Sequence, residues 1–313
     1  MEIIGDNSST AKYKLFVILQ CMIWGMGYPI TRYIYLSMSP LCYMAVRFAL
    51  GALFFVAVFH NHIAKDLESD KIKKCTFVGL FMGGSYIFGN ISVGETMVTI
   101  AGFLMGTPVI FTVLFSIIFM KRRPGIKFYV ILVIVLIGMY LVCCGGTGVP
   151  TFGKGELFAL LSAACLGINF ILSAKYIKEV TPFTLSAVQC AVTSVLCIIF
   201  GSFLEDFSCI FNALPISRAA FMYQLLGSTV AAFLLQNVSI RHLSPMFVSL
   251  VFCIEPVFTA VASSMILGER MTGIGIIGSV LIMFGVIAAS LMKDSGENRT
   301  ELKEKELEVE HRK

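Results

Sequence analysis

The chain has 313 residues, of which 57% are hydrophobic and only 14% are charged, against about 25% charged in a soluble domain. Its mean hydropathy is +0.87 and its formal net charge is +5. These values exclude a soluble domain and predict an all-α integral membrane protein, whose basic residues belong in cytoplasmic loops and indicate no nucleic-acid partner.

Counted at about 20 apolar residues per helical crossing, the sequence predicts ten transmembrane helices joined by short loops. The predicted spans cover approximately residues 14–36, 40–59, 74–93, 96–119, 127–144, 155–175, 182–203, 217–238, 243–267 and 274–292.

The basic residues predict the orientation of these spans. With the N-terminus inside, 19 of the 24 Lys and Arg residues fall in cytoplasmic segments, four fall outside, and Arg47 lies within the second span. The four outside are Arg32, Lys154, Arg218 and Arg270. Because basic residues favour the cytoplasmic side, we expect both termini in the cytoplasm.

Two parts of the chain resemble each other. Asn90-Ile-Ser92 corresponds to Asn237-Val-Ser239 at an offset of 147, and Pro108 corresponds to Pro256 at an offset of 148. One inserted residue would explain the change of offset. We therefore expect the fourth and ninth spans to be equivalent. In this alignment Thr107 corresponds to Glu255, Phe111 to Thr259 and Phe115 to Ser263.

The first two spans are repeated as well, since Ser39-Pro40 corresponds to Thr181-Pro182 at an offset of 142. The sequence thus predicts two five-span units, at residues 1–145 and 153–292, followed by a charged cytoplasmic tail at 293–313. Because five is odd, the second unit enters the membrane from the opposite side. Inverted repeats of this kind are typical of secondary transporters.

A polar and aromatic face is predicted on the first span. Gln20, Trp24, Tyr28 and Thr31 follow helical spacing, which places them on one face. At an offset of 142 they correspond to Ser162, Leu166, Phe170 and Ser173 on one face of the sixth span. Asn169 lies next to that face. Since such faces are costly against lipid, we expect both to line a cavity, with interhelical hydrogen bonding as the alternative.

Other spans contribute similar candidates. Met82, Tyr86 and Asn90 share a face of the third span, and Phe233 and Asn237 share one of the eighth. Removal of the Trp24 or Tyr28 ring is expected to reduce transport without loss of the protein from the membrane. The predicted cavity residues are therefore Gln20, Trp24, Tyr28, Thr31, Tyr86, Asn90, Asn169, Ser173, Asn237 and Thr259.

Glu255 is the one acidic residue that we place deep within a span. An ionised carboxyl there costs about 2.5–3.5 kcal/mol on insertion scales, so it should be neutral, paired or facing water. Two interpretations stay open: a coupling or substrate role, or a structural ion pair with Arg47. Pro29, Pro108 and Pro256 are candidate hinges, because proline frees a backbone carbonyl within a helix.

Several of these features together resemble the EamA type of the drug/metabolite transporter superfamily. They are Trp24-Gly25, Ser39-Pro40 leading to Arg47, Pro108, Glu255-Pro256, and Gly268-Glu269-Arg270 before a Gly-rich last span. The first unit departs from the pattern, with Met120-Lys121-Arg122 in place of Gly-Glu-Arg and Leu166 in place of an aromatic residue. The resemblance covers residues 14–292.

This resemblance implies a central cavity lined by both units, with the fifth and tenth spans at the periphery, and ATP-independent export or exchange of small organic metabolites. The first hypothesis is a secondary-active exporter of amino acids or similar molecules in a plasma membrane, of the bacterial inner type. The second is a passive channel or a membrane receptor that transports nothing. The expected partners are a small-molecule metabolite and the lipid bilayer, while protons and a homodimer stay open.

No catalytic chemistry is predicted. The ten cysteines form no CxxC pair and lie mostly in apolar runs, where thiols behave as small hydrophobic groups. The chain contains no HExxH motif. We therefore expect no metal, no cofactor and no enzyme activity.

Overall fold

A computed structural model describes residues 5–96, 98–121, 123–144, 153–210, 213–268 and 272–291. Within these ranges the chain is helical, with no strand. Ten helical segments are long and apolar enough to cross a membrane, which confirms the predicted number of spans.

Seven of the ten spans are single helices, of which the first begins in the polar N-terminal segment and the second is kinked at Phe59. These seven helices are α1 (Gly5–Ile34), α2 (Pro40–Ile63), α3 (Ser69–Glu95), α6 (Ile126–Cys144), α7 (Lys154–Tyr176), α8 (Pro182–Leu204) and α13 (Gly273–Leu291).

The fourth and ninth spans are each broken into two helices. In the fourth, α4 (Val98–Met105) is followed by α5 (Pro108–Met120). In the ninth, α11 (Pro245–Phe252) is followed by α12 (Glu255–Leu267). Proline lacks an N–H and disrupts helix interiors, so the breaks fall directly before Pro108 and the Glu255-Pro256 pair.

The eighth span runs from Pro215 to His242 and changes its helical pitch in the middle. It consists of α9 (Pro215–Tyr223), a π-helical segment (Gln224–Ala231) and α10 (Ala232–His242). π-helical turns are rare and occur often at functional sites. This segment lies against α1 and α2.

Glycines set the closest helix contacts. A Cβ on Gly138 of α6 would lie 2.7 Å from the Gly278 oxygen of α13, and one on Gly278 would lie 2.5 Å from the Gly138 oxygen. On α3, a Cβ on Gly83 would meet Leu196 of α8 at 2.5 Å. Small residues allow such close approach, which drives helix association in membranes.

Some predicted features lie outside the described residues. They are residues 145–152, where the two units were expected to divide, Glu269 and Arg270 of the Gly-Glu-Arg motif, and the tail at 293–313.

Candidate functional site

The two broken spans make matching contacts, and these contacts define how the two parts of the chain correspond. Thr112 donates its hydroxyl to the Pro108 oxygen at 2.9 Å, and Thr259 donates to the Glu255 oxygen at 3.1 Å. Both pairs of residues are separated by 147 positions. Glu255 is therefore equivalent in structure to Pro108, not to Thr107, and Thr259 to Thr112, not to Phe111.

The helix ends agree with this offset. Both α5 and α12 end in a left-handed residue, Lys121 with φ 53° and Gly268 with φ 69°. Their N–H groups bond to the oxygens of Ser116 and Ser263. The same offset of 147 relates Asn90 to Asn237. Because the offset does not change between Asn90 and Pro108, the prediction of a one-residue insertion there is wrong. In the first unit, Lys121 occupies the position that suits glycine.

Gly25 brings α1 directly against the start of α12. A Cβ at this position would lie 2.6 Å from the Phe258 Cβ, 2.9 Å from the Glu255 oxygen and 3.0 Å from the Thr259 nitrogen. This contact holds α1 next to Glu255, so that Tyr28, one turn after Gly25, reaches the carboxyl. This close approach gives the Trp24-Gly25 motif a physical reason.

Gly167 of α7 makes the corresponding contact with α5. A Cβ there would lie 2.7 Å from the Phe111 Cβ and 3.0 Å from the Pro108 oxygen and the Thr112 nitrogen. The two glycines are 142 residues apart, as the sequence comparison of the first and sixth spans predicted.

Glu255 is the first residue of α12 and is only 5% exposed. Its carboxyl has the Tyr28 hydroxyl as a hydrogen-bond partner, while its Oε2 atom is enclosed and has no partner among the described residues. The free N–H groups at a helix N-terminus favour negative charge. The break in the ninth span thus places a carboxyl with spare hydrogen-bonding capacity inside the bundle.

Tyr28 is 56% exposed even though it is surrounded by other helices. Its hydroxyl interacts with Glu255 of α12 and with Tyr86 of α3. Tyr28 therefore links α1 to α3 and α12, and the carboxyl of Glu255 is buried beside it.

Arg47 of α2 is 5% exposed and binds neutral partners. Its Nε donates to the Thr229 hydroxyl and its Nη1 to the Tyr43 hydroxyl, both at 2.5 Å. The guanidinium carbon lies 5.0 Å from the centre of the Phe48 ring, a cation–π arrangement.

The ion pair considered between Glu255 and Arg47 is not formed. Neither side chain takes part in an ion pair with any residue in the described ranges. Tyr86 interacts electrostatically with both of them. The two charged groups are therefore not joined directly.

The first-span face divides into packed and exposed members. Gln20 is fully buried and donates to the Gln236 Oε1 at 3.1 Å. Trp24 donates its Nε1 to the Ser228 oxygen at 2.7 Å, and its ring packs edge-on against Phe233 and Phe252. Contrary to the expectation, the Trp24 ring contributes to packing.

The π-helical segment holds both Trp24 and Arg47, and sequence reasoning missed it. Ser228 offers its oxygen to Trp24, and Thr229 accepts from Arg47 while donating to the Gln224 oxygen five residues earlier. Gln224 also donates to Thr31 at 2.5 Å. The polar residues Gln224, Ser228 and Thr229 within an apolar span were the available signal.

The remaining candidates mostly make interhelical hydrogen bonds. Asn169 donates to the Val78 oxygen at 3.1 Å, and Asn237 donates to Ser186 and Gln189 at 2.8 Å each. The Oδ1 atoms of both asparagines and the hydroxyl of Ser173 are buried and have no hydrogen-bond partner among the described residues.

On the third span, Asn90 donates to the Tyr86 oxygen at 2.9 Å and contacts the Met44 sulfur at 3.4 Å. Thr259 is half-buried beside Glu255. Among the prolines, Pro29 lies inside the unbroken helix α1, so only Pro108 and Pro256 coincide with helix breaks.

Ten membrane-length spans among the described residues, with buried polar side chains between them, define a multi-pass membrane protein. The sequence model of the EamA-like transporter family matches residues 11–144 and again residues 153–291. The chain belongs to the EamA-like transporter family.

Similar proteins agree with this assignment. An uncharacterized transporter of Archaeoglobus fulgidus is 25% identical over 286 residues, covering 88% of this chain and 85% of that protein. The threonine/homoserine exporter RhtA of Salmonella typhimurium is 26% identical over 249 residues, covering 79% of each chain. A solved crystal structure matches with a TM-score of 0.76 at 17% identity, covering 90% of this chain and 97% of that one; this likeness shows the fold alone.

Proposed function

We propose that this protein is a secondary-active carrier that exports small organic metabolites, amino acids among them, by alternating access through a central cavity. Its family and a relative named as a threonine/homoserine exporter support this function. The main structural support for this function is Glu255, an enclosed carboxyl with no basic partner among the described residues, at a break in a membrane-spanning segment. Transporters place substrate and ion sites at such broken helices.

Alternating access needs two halves that can exchange roles. The equivalent contacts of Gly25 with α12 and of Gly167 with α5 support two related units. With five spans in each unit, the relation between the units is an inversion across the membrane, and rocking of one against the other opens the cavity to alternate sides.

An amino acid matches the charges that face this cavity. Arg47 binds neutral hydroxyl groups and pairs with no carboxylate among the described residues, and arginine binds carboxylates strongly through charge-assisted hydrogen bonds. Glu255 suits an ammonium group. We expect Tyr86, which interacts electrostatically with both charged groups, to contact the substrate as well.

Counterflow in proteoliposomes tests the proposal. Vesicles preloaded with an unlabelled amino acid should accumulate the labelled form of the same amino acid transiently above the level in empty vesicles. A passive channel gives equal rates in both cases, and a receptor gives no flux although the ligand raises its thermal stability. Either of these results for every amino acid tested would contradict a carrier of amino acids.

A further inference from the structure

Two cysteine side chains from distant parts of the chain meet at one end of the bundle. The Cys42 sulfur, in the first turn of α2, lies 3.3 Å from the Cys209 sulfur in the 3₁₀ turn Phe207–Ile210. The Ser39 hydroxyl lies 3.7 Å from the same Cys209 sulfur. In a disulfide the two sulfurs are about 2.0 Å apart, so only a small movement separates this contact from a bond.

Hydrogen bonds hold the two segments against each other. Glu205, which begins the segment that carries Cys209, accepts through Oε2 from the N–H groups of Leu41 and Cys42 at 2.8 and 2.9 Å. The neighbouring segment is fixed as well, because Ser37 and Ser217 are joined by a hydrogen bond of 2.8 Å between their hydroxyls. The contact between the sulfurs is therefore supported by the backbone around it.

The surrounding charge places this end outside the cytoplasm. The connecting segments at this end, 35–39 and 205–214, contain no Lys or Arg, and the second carries acidic Glu205 and Asp206 beside the cysteine turn; Arg32 and Arg218 lie in the adjoining helices. Basic residues are enriched on the cytoplasmic side, so both segments face the other compartment. Disulfides form and persist in such oxidising compartments.

We propose that Cys42 and Cys209 form a disulfide that joins the start of α2 to the turn after α8, two helices that pack against each other, at the extracytoplasmic end of the protein. The half-buried Cys209 thiolate attacks a disulfide of a glutathione-like or protein oxidant, forming a mixed disulfide and releasing one thiol. Cys42 then loses its proton, its sulfur attacks the Cys209 sulfur, and the second thiol leaves. Two protein thiols are oxidised while one external disulfide is reduced.

The bond stabilises the fold by restricting the unfolded chain. It does not depend on the transported substrate, so its test is independent of the proposed transport function. The oxidised protein is expected to unfold at a higher temperature than the same protein treated with a reductant.

The test uses the full-length protein in right-side-out membrane vesicles. Oxidised glutathione, which does not cross the membrane, is added outside; the protein is then denatured in N-ethylmaleimide and its cysteines are mapped by mass spectrometry. We expect a cross-linked peptide pair containing Cys42 and Cys209, and two fewer alkylated thiols per molecule. Cys165→Ser, which changes a half-buried cysteine of α7, should leave the cross-link intact.

Cys42→Ser should leave Cys209 alkylated or as a glutathione adduct, with no cross-link. Full alkylation of both cysteines in the oxidised wild-type protein would overturn the proposal, and so would a persistent glutathione adduct on Cys209. A cross-link that forms only when the oxidant has access to the cytoplasmic side would overturn the extracytoplasmic location. Peptide mapping of the wild-type protein decides the question even if the variant fails to fold.

Discussion

A Cβ atom on Gly25 would lie only 2.9 Å from the backbone oxygen of Glu255 and 2.6 Å from the Cβ of Phe258. Both distances are shorter than real Cβ contacts, and the opposing atoms belong to backbone or to a Cβ that cannot rotate away. The contact between α1 and α12 therefore requires glycine at this position, and it sets the distance between Tyr28 and Glu255.

Gly25→Ala should separate α1 from α12 and lower the stability by about 1–3 kcal/mol, the usual cost of overpacking. Transport should fall as well, because Tyr28 moves away from Glu255. The matched control is Gly102→Ala, where an added Cβ meets nothing within 4 Å. Thermal unfolding in detergent measures the difference, and equal melting temperatures for the two variants would contradict the close contact.

Glu255→Gln keeps the size and hydrogen bonding of the side chain and removes its charge. If the carrier is coupled to protons, the variant should still exchange substrate but lose net transport driven by a pH gradient. The structure adds that stability should change little, because Glu255 has no ion-pair partner among the described residues that would be left unpaired. Thermal unfolding checks this expectation alongside the two transport assays.

The control for this experiment is Glu179→Gln, which removes an exposed carboxyl that pairs with Lys74 at 2.7 Å. It should retain pH-driven transport. Unchanged pH-driven flux in Glu255→Gln would rule out proton coupling through Glu255, whatever its effect on stability.

Tyr28→Ala and Trp24→Ala should now differ, although the sequence placed the two rings on one cavity face. Tyr28 is more than half exposed, so its loss should reduce transport with little loss of stability. Trp24 packs against Phe233 and Phe252, so its loss should also destabilise the protein, by up to about 3 kcal/mol for a ring that is only partly buried. Melting temperatures measured beside transport rates test this division, and an equal loss of stability in both variants would contradict it.

Arg47→Gln should weaken binding of a substrate that carries a carboxylate by about tenfold or more, since hydrogen bonds to charged groups contribute about 1.5–3 kcal/mol. Binding of an amide derivative of the same substrate should change little. Arg47→Lys retains the charge and is the matched control, expected to recover part of the affinity. Equal weakening for acid and amide would indicate that Arg47 acts through the packing of Tyr43 and Thr229.

Gly148 should be extracytoplasmic and the tail at 293–313 cytoplasmic. In a cysteine-free background, Gly148→Cys should react with a membrane-impermeant maleimide in intact cells. Ser295→Cys should react only after the membrane has been opened. The reverse pattern would show that the orientation inferred from the basic residues is wrong, and the extracytoplasmic location of Cys42 and Cys209 would be wrong with it.

The sequence alone determined the number of spans and identified residues that turned out to lie inside the bundle. Hydropathy is a local property that needs only a window of about 20 residues, and helical spacing shows which side chains share a face. Arg47, Tyr28, Tyr86 and Glu255 were all found in this way. The duplicated motifs also showed that the fourth and ninth spans correspond. Beyond Asn90, however, the alignment of the motifs is shifted by one residue from the correspondence that the structure shows.

Only the tertiary structure decided which of these residues touch. It showed Glu255 beside Tyr28 and apart from Arg47, Trp24 in a packed aromatic cluster, the π-helical segment that holds Arg47, and Cys42 next to Cys209. These contacts join residues more than 160 positions apart or depend on how neighbouring helices pack. They are determined by the approach distance, rotation and side-chain conformations of helices in three dimensions, and no local pattern of residue types contains that information.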